Sequence, residues 1–438
     1  MRVVHVSPTD IDGGAAKGAY NLHVALRNGG MDSLLLVQRK YTDDPSVVTT
    51  SRSHEIIYDG LRDRLDRLPL KFHRNRGAGW WTVGWLPFDI SSIIDRLNPD
   101  IVQFHWAGRG AAPINVLRNL TRYTIVWTLR DMWPLTGGCH YALGCKKFLA
   151  KCGACPQLGS KFTFDLSRWQ WWRKHQAWRN VDVTYVAMSN WMANYARLSP
   201  LTFGREISVI PNGVDVERYT PMAQTLARSI WRIPTDKRVI LFGALYSTSD
   251  QRKGFEYLRA ALKMLAARGW KKRAIAVVFG AGSGNGDLGL DTHYVGRLSD
   301  EVSLALLYAC ADVMVVPSVQ ENCAKTAIEA MACGVPVVAF DNSGQTDIVD
   351  HKVNGYLAED LSAEDLADGI AWCLERRGEG PQLSRNARSK AVQTFDVRRI
   401  AVRHVELYQR LLGRRSIENV PDTASEAIHP QTNSAEAL

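Results

Sequence analysis

The chain of 438 residues holds no stretch near the roughly 20 uninterrupted apolar residues that a bilayer-spanning helix needs, so no transmembrane segment is expected. Its start, MRVVHVSPTD, lacks a long apolar core and runs straight into a strand pattern. A secretory signal is therefore not expected, and the cytoplasm is the default compartment. Cysteine is scarce, with eight in all, and in a reducing compartment disulfides are not expected. The sequence also lacks a short-period repeat, which excludes solenoids, and lacks any nucleic-acid-binding motif, so nucleic acid is not an expected partner.

What remains is the composition of a globular protein, 46% hydrophobic and 22% charged. The length exceeds what one core normally serves and implies two domains. The formal net charge of +10 is open between a solvated basic surface and an anionic partner such as a phosphate group or a membrane.

Strand-like and helix-like runs alternate along the chain. VVHVS, SLLLVQ, DIVQFHW and YTIVWTL are apolar strand candidates in the first half, and RVILFGAL, AIAVVFGAG, DVMVVPS and PVVAF in the second. Continuous apolar runs without strict alternation suit parallel sheets covered on both faces, and strand–helix alternation indicates βαβ units. The first strand leads into DIDGGAAKG and a helix ending on Gly29-Gly30; residues 53–76 read as one or two basic amphipathic helices. The turn Pro211-Asn212-Gly213 lies at the junction of the halves. The expected boundaries are 1–205 for a first domain, with a cysteine-rich insertion at 137–158, and 206–395 for a second. Residues 396–415 are expected to form a helix packing back on the first domain, and 416–438 a polar, disordered tail. Two open α/β domains create a cleft at the carboxyl ends of their strands, which places chemistry in the loops after strands.

The most specific segment is PSVQENCAKTAIEAMACGVPVVAF, residues 317–340. It reads as a strand end, a loop, a small-residue helix and a following strand. Glu321 falls in the loop and Glu329 about two helical turns on. A helix N-terminus with free N–H groups favours a diphosphate, and a carboxylate suits a ribose diol. Two spaced glutamates alone would equally suit a solvated helix.

Together with GVPVV (334–338), YVGRLSDEVSLALLYACADVMVVPS (294–318), the PNGVD junction (211–215) and QRKGFEYLRAAL (251–262), this segment resembles glycosyltransferase family 4, the retaining, metal-independent enzymes of GT-B fold. The resemblance spans most of 205–350 and is weaker in the first half. It implies two Rossmann-like domains with parallel sheets facing across a cleft. It also implies that Glu329 binds the nucleotide ribose, that Glu321 contacts the donor sugar near its reacting carbon, and that Lys253, with Arg252 beside it, holds the diphosphate. Gly13 and Gly14 would face the donor phosphates and acceptor, and His105, at the end of DIVQFHW, would lie by the transferred sugar. The sequence departs from the family pattern twice. Ala244 stands where an arginine is usual, and VWTLRDMWP carries Arg130 in place of the histidine of T-L-H-D, with Asp131 kept. Arg130 cannot act as a base at neutral pH, yet it could bind an anionic acceptor group, with Asp131 a second candidate acceptor contact. The loop GAGSGNG (280–286) is either a surface turn or a ligand-facing loop.

Four cysteines cluster in GGCHYALGCKKFLAKCGACP: Cys139, Cys145, Cys152 and Cys155. The last two form a C-x2-C pair, leaving structural zinc or buried free thiols as the readings. A similar insertion occurs in a polysaccharide-assembly subset of the family. In SRWQWWRKHQAWRN (167–180), tryptophans among cations suit either a membrane interface or a helix packed on its own domain, with Trp171 and Trp178 sharing a face. The resemblance thus implies a hexosyltransferase-class enzyme without a catalytic cofactor. It would move a sugar from a nucleotide-diphosphate donor to a glycan or lipid-linked acceptor in cell-surface polysaccharide assembly, in the cytoplasm or at the inner membrane face. A nucleotide-sugar epimerase and a zinc-stabilised binding protein with a degenerate site are the rivals.

Overall fold

The structure, a computed structural model, describes residues 1–50, 56–77, 79–87, 89–106, 108, 113–243, 248–282, 287–298 and 300–418. Ala244, part of the 280–286 loop and most of the expected polar tail lie outside these residues. The first domain begins β1 (Arg2–Thr9), α1 (Gly14–Asn28), β2 (Asp32–Arg39), β3 (Val47–Thr49), α2 (Ile56–Asp66) and α3 (Ser91–Leu97). It continues β4 (Ile101–Phe104), β5 (Thr124–Leu129), α4 (Leu166–Trp178), β6 (Thr184–Ala187), α5 (Asn190–Leu198) and β7 (Ile207–Val209). The second begins α6 (Gln224–Ile230), β8 (Arg238–Gly243), α7 (Phe255–Leu265), β9 (Ala274–Phe279), β10 (Asp291–Gly296) and α8 (Glu301–Cys310). Then follow β11 (Val313–Val316), α9 (Lys325–Ala332), β12 (Val337–Phe340), β13 (Gly355–Ala358), α10 (Ala363–Glu379), α11 (Gln382–Phe395) and α12 (Val397–Glu418).

The strands form a seven-stranded sheet, β3-β2-β1-β4-β5-β6-β7, and a six-stranded sheet, β10-β9-β8-β11-β12-β13. Every pairing is parallel, giving the two Rossmann-like domains that the resemblance implies. Each sheet is buried on both faces, which is why its central strands read as unbroken apolar runs: β4, β9 and β11 are buried at every residue. In each sheet the order reverses beside the first strand, between β1 and β4 and between β8 and β11, and ligands enter at such a switch point.

β7 hydrogen-bonds to β6, so the first sheet runs to Val209, a few residues past the 205/206 boundary read from the sequence. The helix read at 396–415 is α12. It leaves the second domain at Asp396 and lays Leu407, Tyr408 and Leu411 against Val3, Leu22 and Leu26 of the first. Tyr408 Oη also donates to the buried Gln103 of β4.

Candidate functional site

The two switch points face one another across a cleft of about 410 Å³, within the roughly 300–1,000 Å³ typical of ligand pockets. The loop after β1 contributes Asp12, Gly13 and Gly14, the loop after β5 Arg130 and Asp131, and the second domain Arg252, Lys253, Arg297, Glu321 and Lys325. Two helices begin here. α1 starts at Gly14 after Gly13 turns the chain with φ +95°, and α9 starts at Lys325. The first turn of a helix leaves N–H groups without partners, so both termini present donors and a positive dipole end to the same space. A Cβ at Gly13 or Gly14 would touch nothing within 4 Å, so these glycines border open room.

Glu321 is the electrostatic centre of the second-domain wall. Its Oε2 lies 2.6 Å from Lys253 Nζ and 3.0 Å from Arg252 Nη1, and it is only 6% exposed. Burial alone would raise its pKa, but Lys253 and Arg252 outweigh burial and hold it down at about 2. The turn carrying the cations is tightly specified. Gly254 has φ +69°, and a Cβ there would stand 1.8 Å from the Pro317 carbonyl oxygen at the end of β11. Arg252 also donates to the Gln320 carbonyl and lies 4.3 Å from the centre of the Tyr141 ring, which reaches across from the first domain.

Glu329 is not on the cleft wall. Its carboxylate accepts from Tyr308 Oη at 2.9 Å, and Lys325 Nζ, which does line the cleft, is 3.5 Å away. Burial pushes its pKa up, in contrast to Glu321.

His105, expected beside the transferred sugar, sits one layer below the cleft, 2% exposed, and Arg130 holds the cleft position instead. Arg130 Nη2 is 3.1 Å from His105 Nδ1. A guanidinium only donates, so Nδ1 accepts, and Nε2 carries the proton given to His5 Nδ1 at 2.9 Å. Burial first, then Arg130, lowers the His105 pKa well below the usual imidazole value, so the ring stays neutral. Arg130 also donates to Asn212 Oδ1. Burial lowers its own pKa to about 10, which leaves it cationic at neutral pH.

Asp131 is fully engaged. Its Oδ1 accepts from the Trp133 backbone at 2.9 Å, and Oδ2 accepts from Trp106 Nε1 and His140 Nδ1 at 2.5 Å each. Trp106 in turn meets Trp80 edge-on at 6.2 Å. Trp80, Trp106, Tyr141, Asn212, Arg297 and Lys325 all line the cleft without having been singled out from sequence. Trp106 directly follows His105 in the strand-end run, Lys325 starts the signature helix, and Asn212 and Arg297 fall within the PNGVD and YVGRLSDEV motifs, so these four had a local signal.

The cysteine-rich segment folds into short 3-10 turns, and Cys139, Cys145, Cys152 and Cys155 border one cavity of about 20 Å³ beside Trp81. All four are free thiols, and burial raises the pKa of Cys152 to about 12. Among the described residues no three His, Cys, Asp or Glu side chains stand together as a ready metal shell. The tip of the segment spans the cleft: besides Tyr141, the Leu143 N–H donates to Gln320 Oε1 at 2.9 Å. In α4, Trp171 and Trp178 are buried, whereas Trp169 and Trp172 are exposed. Arg173 lies over Trp169, and Phe162 and Phe164 are exposed nearby in sequence. No helix among the described residues is long and apolar enough to cross a membrane.

A profile described as Glycosyltransferase Family 4 matches residues 12–218, and one described as Glycosyl transferases group 1 matches residues 236–376. Over 223 residues the chain is 32% identical to a D-inositol 3-phosphate glycosyltransferase from Saccharomonospora viridis, covering 47% of this chain and 51% of that one. The chain thus spans about half the length of the curated relative it matches. A sucrose-phosphate synthase from Thermosynechococcus elongatus superposes with a TM-score of 0.66 at 20% identity, covering 94% and 100% of the two chains. The Anabaena protein HepE, solved with UDP-glucose, superposes with a TM-score of 0.56 at 18% identity, covering 95% and 100%.

Proposed function

The chain belongs to glycosyltransferase family 4, and from that premise we propose that it transfers a sugar, with retention of anomeric configuration, from a nucleotide-diphosphate donor to a glycan or lipid-linked acceptor. The observation that carries this reading is the convergence on Glu321. Two helix N-termini, Arg252 and Lys253 surround a buried carboxylate at the mouth of the signature helix. The donor diphosphate would bind Arg252, Lys253 and the N–H groups of α1 and α9, loosening the cations from Glu321 and freeing its carboxylate for the donor sugar. Lys325, on the cleft wall, would meet the ribose side of the nucleotide, held there by Glu329 one turn further along the helix. The bond from the anomeric carbon to the leaving phosphate oxygen breaks, and the acceptor oxygen bonds to that carbon on the same face. Its proton passes to the leaving phosphate, so no metal or protein base is required. The cations compensate the charge that develops on the diphosphate.

UDP-sugars are the first donors to try, because the superposed Anabaena protein was solved with UDP-glucose. Assembly of a cell-surface polysaccharide such as an exopolysaccharide is the process that fits, at the cytoplasmic face of the membrane. The exposed Phe162, Phe164 and Trp169, with Arg168 and Arg173 against their rings, support contact with that surface. The thiols sharing one cavity support a structural zinc at Cys139, Cys145, Cys152 and Cys155, whose binding would draw the sulfurs together.

The test is product formation from the nucleotide-sugar that best raises the thermal midpoint. Glu321→Gln should lower kcat by about 100-fold or more, and Glu329→Ala should raise the donor KM. Intact transfer in both variants would overturn the assignment.

A further inference from the structure

We propose that the first domain carries an extended groove for a neutral oligosaccharide acceptor of at least two rings, entered at the corner between Trp80 and Trp106. The proposal rests on the glycosyl-transfer reading and names the acceptor class.

Three cavities adjoin one another. The main cleft and a second cavity of about 140 Å³ share Trp80 and Trp106 as walls. That second cavity shares Asp63 and Arg67 with a third, of about 310 Å³, under the carboxyl ends of β1 and β2. An acceptor whose terminal hydroxyl lies in the cleft would place its further rings in these neighbouring cavities. The corner suits a sugar. Trp80 is 45% exposed, and the indole N–H of Trp106 is taken by Asp131, so both residues offer ring surface to the apolar faces of a pyranose.

Beyond the corner the walls are polar and balanced in charge. Asp12, Asp63 and Asp66 face Arg39, Arg67 and Arg76, three of each sign. Arg67 and Asp63 stand 3.1 Å apart, a donor beside an acceptor, which matches adjacent hydroxyls. Gln38 closes the argument. It lines the third cavity, is only 7% exposed, and its amide nitrogen has no hydrogen-bond partner in the structure. A buried donor left unpaired is costly, so this one is a standing site for a ligand oxygen. A phosphorylated single ring, the acceptor named for the Saccharomonospora relative, would leave the groove mostly empty and would find no surplus of cations along it.

The test uses the full chain in the presence of UDP, GDP or ADP on an array of neutral and acidic di- to hexasaccharides, with inositol 3-phosphate as competitor. Neutral oligosaccharides should be retained, and retention should fall at least tenfold in Trp80→Ala and in Gln38→Leu. Gln38→Leu, which lies outside the main cleft, should melt no lower than the parent, since an unpaired buried amide is lost, and should keep the parent's calorimetric affinity for the nucleotide. A nucleotide-binding protein that retains no neutral oligosaccharide, is displaced by inositol 3-phosphate, or ignores both substitutions would overturn the groove alone. Failure to bind any of the three nucleotides would instead remove the transferase reading beneath it.

Discussion

Arg130 shows what one residue can decide. Its guanidinium reaches the cleft floor because α1 carries a glycine opposite it. A Cβ on Gly18 would lie 2.4 Å from Arg130 Nη1 and 3.0 Å from Asn212 Oδ1. Gly18→Ala should therefore displace a buried, hydrogen-bonded cation and cost about 1–3 kcal/mol by urea denaturation. In an Arg130→His background the same substitution should cost much less, because the shorter ring vacates the space; equal costs in both backgrounds would refute the coupling. The replacement of the family's histidine by Arg130 was plain in the sequence. That Arg130 would bury His105 beneath itself was not, since strand position says which end a side chain occupies but not what lies over it. The glutamate pair shows the same limit. Eight residues apart on one motif, Glu321 is held near 2 by two cations whereas Glu329 is raised by burial.

At the scale of elements, strands with long apolar runs were legible and short ones were not. β1, β2, β4, β5, β8, β9, β11 and β12 coincide with the apolar runs. β3, β7, β10 and β13 passed unseen because they are short or half-exposed and lie towards the sheet edges, where one covered face suffices. The four-residue β6 is no shorter than β4, β11 or β12, but Asp182 and Thr184 break the apolar run that would have marked it. In α4 the burial of Trp171 and Trp178 accounts for one face of the tryptophan cluster, and the outward Trp169 and Trp172 keep membrane contact as a proposal for the other. The cysteine segment has little regular structure of its own, so its shape depends on its neighbours and, under the zinc proposal, on metal. Protein purified without chelator should contain one zinc per chain by elemental mass spectrometry, and Cys152→Ser should lower that content. Well under one zinc per chain in the parent would leave the four groups as free thiols.

For the whole molecule, the two domains are tied across the cleft by Asn322, which donates to the Leu129 carbonyl at 2.8 Å and accepts from Ser189 Oγ at 2.9 Å. α12 adds a further tie, and with it a dependence on acid. His404 on α12 and His23 on α1 are buried and, chiefly by burial, have pKa values lowered to about 4. Both are neutral in the fold and take up protons more readily when unfolded. Stability should therefore be full above about pH 6.5 and fall as pH drops towards 4, by up to about 3 kcal/mol for each imidazole. Urea melts between pH 7 and pH 4 check this, and a flat profile would contradict it. The sequence by itself determined the alternation of strand and helix, the parallel sheets and the family motif, because each is written in local periodicity and turn chemistry. Only the tertiary structure decided that Lys253 and Arg252 close on Glu321, that Arg130 covers His105, and that Leu143 meets Gln320 across 177 positions of chain. Those contacts depend on how two separately patterned domains dock, and no local pattern encodes the far side of a cleft.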